Sequence, residues 1–134
     1  MNKEKYGWLA GIIDGEGTIT ITKQNRQTWF SYRPEIHITN TNQLILKQSC
    51  KLLKEITGKT VKIFITDKKR KNYVYRVRLQ DIESCKKLLI FLGPFLVGKK
   101  KQGKLLLEFL QNKKTKNGSI QAAKIHNLNL SSSC

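Results

Sequence analysis

The sequence predicts an α+β fold, an antiparallel four-stranded sheet with helices on one face. Two observations carry this. The hydrophobic pattern alternates between helical and period-2 repeats in the order αββαββ, followed by further helices. Each pair of alternating segments is also joined by a polar turn, KQNRQT in the first and DKKRKN in the second, as hairpins are. The length of 134 residues is that of one domain, spanning 1–134, with residues 1–5 and 129–134 expected to be flexible. A chain of this size buries roughly two-thirds of its unfolded surface and needs no disulfide to hold a core.

Residues 6–14 form a first helix, apolar nearly all round and so expected to be buried on most sides. From Gly17 the pattern alternates, with Thr18, Thr20 and Thr22 on one face and Ile19 and Ile21 on the other. Residues 32–39 alternate again, with Glu35, His37 and Thr39 opposite Ile36 and Ile38, and Pro34 suits an edge or a strand beginning. Asn40 or Asn42 then caps a helix running to Ile56, with Leu44, Ile45, Cys50, Leu52, Leu53 and Ile56 as its apolar stripe and Gly58 as its stop. The second strand pair covers 61–66 and 73–79. Asp81 caps a helix over 82–92 that ends at Gly93-Pro94, residues 99–111 form another helix, and 119–128 is a candidate for a last one.

Charge is the strongest bulk signal. With 26 Lys and Arg against nine acidic residues, the formal net charge is +17, which calls for a polyanion, either nucleic acid or an anionic membrane surface. The apolar runs are too short to span a bilayer. Cys50, Cys85 and Cys134 are odd in number and widely spaced, and they form no zinc pattern. Cys50 and Cys85 read as reduced core residues, which fits a reducing, intracellular setting, in the cytoplasm or in an organelle that encodes the protein. The start MNKEKYGW carries no signal-peptide pattern.

One face of the predicted sheet is apolar. The other carries Thr18, Thr20, Thr22, Arg33, His37, Lys62, Thr66, Arg76 and Arg78. A long, flat, basic β-surface of this kind can lie in the DNA major groove and read base edges. The hairpin tips, with Gln24, Arg26 and Arg70, would reach phosphates.

The stretch WLAGIIDGEGTITI, residues 8–21, breaks the basic pattern, since it holds Asp14 and Glu16 and no Lys or Arg. Gly7, Gly11 and Gly15 recur every fourth residue, at a cost of about 1 kcal/mol each in a helix, so a strand or a second copy of the helix must come close to them. The two carboxylates fall at the helix's carboxyl end, where the macrodipole disfavours negative charge. A carboxylate so placed needs a hydrogen-bond donor, a cation brought by the fold, or a metal. Mg²⁺ suits such a site, since it takes one or two carboxylates together with waters and substrate phosphate.

LAGIIDGEG, residues 9–17, resembles the signature of the LAGLIDADG homing endonucleases, and PFLVGKKKQGKLLLEFL, residues 94–110, resembles a later segment of the family's single-motif members. The resemblance implies the αββαββα homing endonuclease fold, and a metal-dependent enzyme that cuts both strands of a long DNA site and is typically encoded within an intron. It implies that Glu16 binds Mg²⁺ or another divalent ion such as Mn²⁺, with the Gly15 carbonyl nearby. It places Lys99 near the attacking water and scissile phosphate. Lys101 is a neighbouring alternative, or a phosphate contact. Asn40 falls where relatives often carry a water-orienting glutamine, and Leu44 where some carry a further basic residue. Asp14 is expected to be structural. With one motif in the chain, cleavage of two strands implies a homodimer packed through Gly7, Trp8, Gly11, Ile12 and Gly15, acting on a near-palindromic duplex. A non-cleaving nucleic-acid-binding protein on the same fold, an RNA maturase or DNA repressor, is the alternative. A basic ribosome-associated protein explains the charge but not the isolated carboxylates.

Overall fold

The computed structural model describes residues 3–25, 30–67 and 73–111. The elements are α1 (Lys3–Glu16), β1 (Gly17–Asn25), β2 (Phe30–Asn40), α2 (Gln43–Thr57), β3 (Phe64–Asp67), β4 (Val74–Leu79), α3 (Ile82–Leu92), a 3₁₀ turn (Gly93–Phe95) and α4 (Lys100–Gln111). The candidate helix over 119–128, the hairpin-tip residues Arg26 and Arg70, and Cys134 lie outside the described residues.

The sheet is antiparallel throughout, in the order β1-β2-β4-β3. Strand alternation sorts its faces as expected. Ile19, Ile21, Ile36, Ile38, Val77 and Leu79 are buried in one core cluster with the apolar sides of the four α-helices. β2 is an interior strand, which is unusual for one containing proline. Its pairing with β4 covers only Ile36 to Asn40, however, so the missing N–H of Pro34 breaks no bond on that side.

The first helix is longer than expected, and it is buried on one face only. Leu9, Ala10 and Ile13 are buried, while Trp8 and Gly11 are exposed. It passes into β1 without a loop. Gly17 makes that junction possible, because a Cβ there would stand 2.8 Å from the Cα and carbonyl oxygen of Ile13. Asn42, not Asn40, caps α2, its side chain accepting from the Leu44 N–H at 3.0 Å. Gly58 closes the helix in the left-handed region (φ 77°) and donates its N–H to the Lys54 carbonyl.

The apolar stripe of α2 needs correction at Leu44, which is 72% exposed. At about 100° per residue it falls on the side opposite Leu46 and Leu53, which are buried. β3 begins at Phe64, not at 61, so Lys62 precedes it. A bulge leaves Thr66 between the pairs Ile65↔Tyr75 and Asp67↔Val74. The Asp81 cap of α3 forms as expected, accepting from the Ser84 N–H at 2.9 Å, and it also receives Lys59 Nζ at 2.7 Å. Among the described cysteines, Cys85 is buried and its thiol is pushed up to about 12 by burial; Cys50 is half-buried and its thiol is also raised by burial. Both are protonated and poorly nucleophilic at neutral pH. No helix among the described residues is long and apolar enough to cross a membrane.

Candidate active site and nucleic-acid face

α1 ends on Glu16, with no basic residue in its last turn. Its final carbonyls have no helical donors ahead of them, and a carboxylate beside them is disfavoured by about 0.3–1 kcal/mol. The fold answers with two groups from distant parts of the chain. Asn40, at the end of β2, donates its side-chain N–H to Glu16 Oε2. Its other side-chain atom, Oδ1, accepts from the Asn42 N–H at 2.8 Å, so the amide is held at both ends. Lys99 supplies the cation, donating Nζ to the Asp14 carbonyl at 2.7 Å.

Asp14 proves to be a connector. Its carboxylate accepts from the Val97 N–H at 2.8 Å and the Lys99 N–H at 2.9 Å, tying the segment ahead of α4 to the end of α1 across 83 and 85 residues of sequence. The Lys99 carbonyl accepts from the Gly103 N–H at 2.9 Å and so opens α4. The lysine is thereby fixed by its backbone on both sides. Lys101 is exposed on the first turn of α4. Leu44 offers only an exposed apolar side chain, two residues past the Asn42 that holds Asn40.

Glu16 and Gly15 are exposed, and the Gly15 carbonyl is among the last four of the helix, which have no donor within it. Among the described residues no group of three or more His, Cys, Asp or Glu side chains could enclose a metal. One carboxylate and one carbonyl oxygen, open to water, fit Mg²⁺, which keeps waters and takes substrate phosphate. They do not fit an enclosed structural metal.

Beside this site, α1 presents the glycine stripe. Among the described residues a Cβ built on Gly7, Gly11 or Gly15 meets nothing within 4 Å outside its own helix backbone, so no described strand approaches there. Trp8 is 38% exposed alongside, and Ile12 is half-buried.

The outer face of the sheet carries the expected polar residues in register, with Thr18 opposite His37, Thr22 opposite Arg33, His37 opposite Arg78 and Thr39 opposite Arg76. Several of them are already engaged. Arg76 Nε donates to Thr39 Oγ1 at 3.0 Å, and the Arg78 guanidinium lies 4.9 Å from the centre of the Phe64 ring. Thr22 Oγ1 donates to the Arg33 carbonyl at 3.3 Å, Thr20 Oγ1 to the Ile21 carbonyl at 3.5 Å, and Thr66 Oγ1 to the Val74 carbonyl at 3.2 Å. Gln24 lies in β1, and Lys62 is exposed just before β3.

Two members of this face escape sequence reasoning. Phe64 shares the parity of Lys62 and Gln80 follows Arg78, so strand parity could have found both; Glu35, which alternation already places beside His37, joins them. Glu35 Oε1 accepts from Gln80 Nε2 at 2.8 Å, and Oε2 contacts His37 Nδ1 at 2.9 Å. Burial, with Arg76 and Arg78 close by, holds His37 below its ordinary value against the opposing pull of Glu35.

Comparison with solved structures finds the same architecture. The homing endonuclease I-CvuI, in complex with the I-CreI target, superposes with a TM-score of 0.75 at 22% identity, covering 94% of this chain and 82% of that one. The archaeal intron-encoded homing endonuclease I-Vdi141I complexed with DNA gives 0.72 at 22% identity, covering 97% and 85%. The meganuclease I-AabMI bound to uncleaved DNA gives 0.67 at 21% identity, covering 93% of this chain and 43% of that one. No curated protein sequence matches the chain. A profile of the LAGLIDADG endonucleases matches residues 9–111, from the middle of α1 to the last residue of α4. With motif, sheet and the Lys99 segment all inside that match, the chain belongs to the LAGLIDADG endonuclease family.

Proposed function

We propose that this protein is a site-specific, divalent-metal-dependent double-strand DNA endonuclease of the intron-encoded homing type, acting as a homodimer on a long, near-palindromic site. The observation that carries this is the convergence of Glu16, Asn40 and Lys99 on the exposed carboxyl end of α1. Only that end of a strongly basic molecule gathers an isolated carboxylate, an oriented amide and a fixed lysine among the described residues.

The roles follow from the atoms. Glu16 and the Gly15 carbonyl would hold Mg²⁺ or Mn²⁺. When bound, such an ion supplies Lewis-acid stabilisation of phosphate charge and lowers the pKa of a coordinated water. Asn40, anchored through Oδ1, fixes the direction of the Glu16 carboxylate and offers an amide to a neighbouring water. Lys99 brings a positive charge within reach of a scissile phosphate, and the Asp14 anchor spares its backbone the entropy of being ordered during the reaction. The outer face of the sheet, through Thr18, Arg33, Arg76 and Arg78, contacts the duplex. The I-CvuI and I-Vdi141I structures, which share the fold, are both DNA complexes.

The protomer has one motif, and its open glycine stripe accepts a second α1, bringing two Glu16 side chains together. Like charges so close repel, and bound cations relieve the repulsion. Replacing Gly11 with leucine is expected to leave the protomer folded, since among the described residues nothing outside the helix's own backbone lies within 4 Å of the new Cβ, but to shift the mass measured by light scattering from dimer to monomer. A variant that remains dimeric contradicts this interface.

The defining experiment incubates the purified chain with a library of long, near-palindromic duplexes in Mg²⁺ and in EDTA. Defined double-strand breaks only with the metal are expected. Selective binding without cleavage under any divalent ion contradicts the nuclease.

A further inference from the structure

The outer face of the sheet is rich in donors, with Arg33, Arg76 and Arg78 among threonine hydroxyls. A carboxylate in the middle of a surface meant for a polyanion weakens nonspecific attraction, yet Glu35 sits there. Its side chain is 12% exposed, and both of its oxygens are engaged, one by Gln80 Nε2 at 2.8 Å and the other by His37 Nδ1 at 2.9 Å. A carboxylate can only accept, so Nδ1 must carry the imidazole proton. In the neutral ring this leaves Nε2 as a lone-pair acceptor. Gln80 donates one of its two side-chain N–H groups to Glu35, and its side-chain oxygen remains an acceptor.

The charged groups around His37 are Glu35 on its own strand and Arg76 and Arg78 on β4; its partner on β1 is the uncharged Thr18. Burial and the two guanidinium groups disfavour a second proton on the ring, so it is neutral at pH 7. The centre of a donor-rich face therefore presents acceptors.

In the major groove, protein donors meet guanine N7 and O6 or thymine O4, whereas protein acceptors meet the exocyclic amines of adenine and cytosine. Resting on the reading of this face as the DNA-contacting surface, we propose that the Gln80–Glu35–His37 chain is a specificity device: His37 Nε2 accepts a hydrogen bond from an adenine or cytosine amine, and Glu35 fixes the tautomer that makes it an acceptor. Glu35 is thus a positioning residue and His37 the residue that reads the base. A chain that merely stapled β2 to the end of β4 would affect stability and overall affinity, with no effect confined to one base position.

The test is selection of bound sequences from a randomised near-palindromic duplex library in EDTA. It uses the full chain, the Glu35→Gln variant and the His37→Phe variant, with each protein's folding checked by its thermal melt. The wild-type chain is expected to show one position per half-site preferring A or C over G or T on the contacted strand by roughly fivefold to tenfold, the discrimination of one neutral hydrogen bond. His37→Phe abolishes that preference and leaves the other positions as they are. Glu35→Gln weakens it at the same position while raising overall affinity, because a negative charge is removed. If both folded variants keep every wild-type preference, or if the position they alter favours G or T, the assignment is wrong and the DNA-binding face stands. If the wild-type chain enriches no sequence at all, the DNA reading itself fails, and the assignment with it.

Discussion

The apolar side of the sheet and the carboxyl end of α1 adjoin in space but are assembled in different ways. The core is redundant. Side chains from every strand but β3 and from all four α-helices share one cluster, and each is placed by the local period of its own element. The end of α1 has no such redundancy, since Asp14, Glu16, Asn40 and Lys99 come from three segments of the chain and each contact is made once. A change in the core should therefore cost stability and spare chemistry, and a change at the helix end should do the reverse.

The sharpest contrast is between Leu106 and Asp14. Leu106 is fully buried, and its replacement by alanine should lower unfolding stability by about 2–5 kcal/mol in a denaturant titration. Cleavage per folded molecule should not change. The Asp14→Asn variant loses an acceptor for one of two backbone N–H groups and should be destabilised by only about 1–3 kcal/mol. By freeing Lys99 it should nevertheless lower the cleavage rate roughly a hundredfold, the scale on which a small misplacement of a catalytic group acts. DNA binding in EDTA should stay near wild type. Equal losses of stability and cleavage rate in both variants would erase the distinction between the two regions.

A smaller effect belongs to a third place, the Asp81 cap of α3 with its exposed Lys59 ion pair. Burial raises the Asp81 pKa, but the hydrogen bonds from Lys59 and Ser84 outweigh it and bring the carboxyl from 3.8 down to about 2. Its folded-state value lies below its unfolded one, so its stabilisation is present above about pH 4 and is lost as the pH falls from there towards about 2. The side chain is 39% exposed, and Asp81→Ala should cost only about 1 kcal/mol, the usual worth of a cap. Thermal melts of the two proteins should differ at pH 6 and converge towards pH 2, with cleavage unaffected.

The same division governs what the sequence discloses. Period-2 alternation placed Ile19, Ile21, Ile36 and Ile38 on the buried face without reference to any other element. The Asp81 cap and the Gly58 stop could likewise be read from single residues. Local signals failed where the angle round a helix had to be weighed, as at Leu44, and they gave no sign of the bulge at Thr66. The carboxylates at the end of α1 could be read as a problem, negative charge where a helix disfavours it, and a donor, a cation or a metal as its possible answers. Asn40 and Lys99 were named only through the family resemblance, for water and phosphate; that they are also the donor to Glu16 and the cation at the Asp14 carbonyl had no signal in the sequence. The bonds from Asp14 to residues 83 and 85 positions away have no periodic or local signature at all. Nor does the Glu35–Gln80 bond, which links residues 45 apart.

The measurement closest to the central claim is cleavage by Glu16→Gln in Mg²⁺ of a duplex that the wild-type chain cuts, with its melting temperature and DNA affinity in EDTA measured on the same preparation. The substitution keeps the size of the side chain and removes its charge at an exposed position. An unchanged melt, retained salt-dependent binding and no detectable cleavage are expected. Cleavage at or near the wild-type rate would contradict a metal-binding role for Glu16, and with it the account of why this basic protein keeps an exposed carboxylate at the end of its first helix.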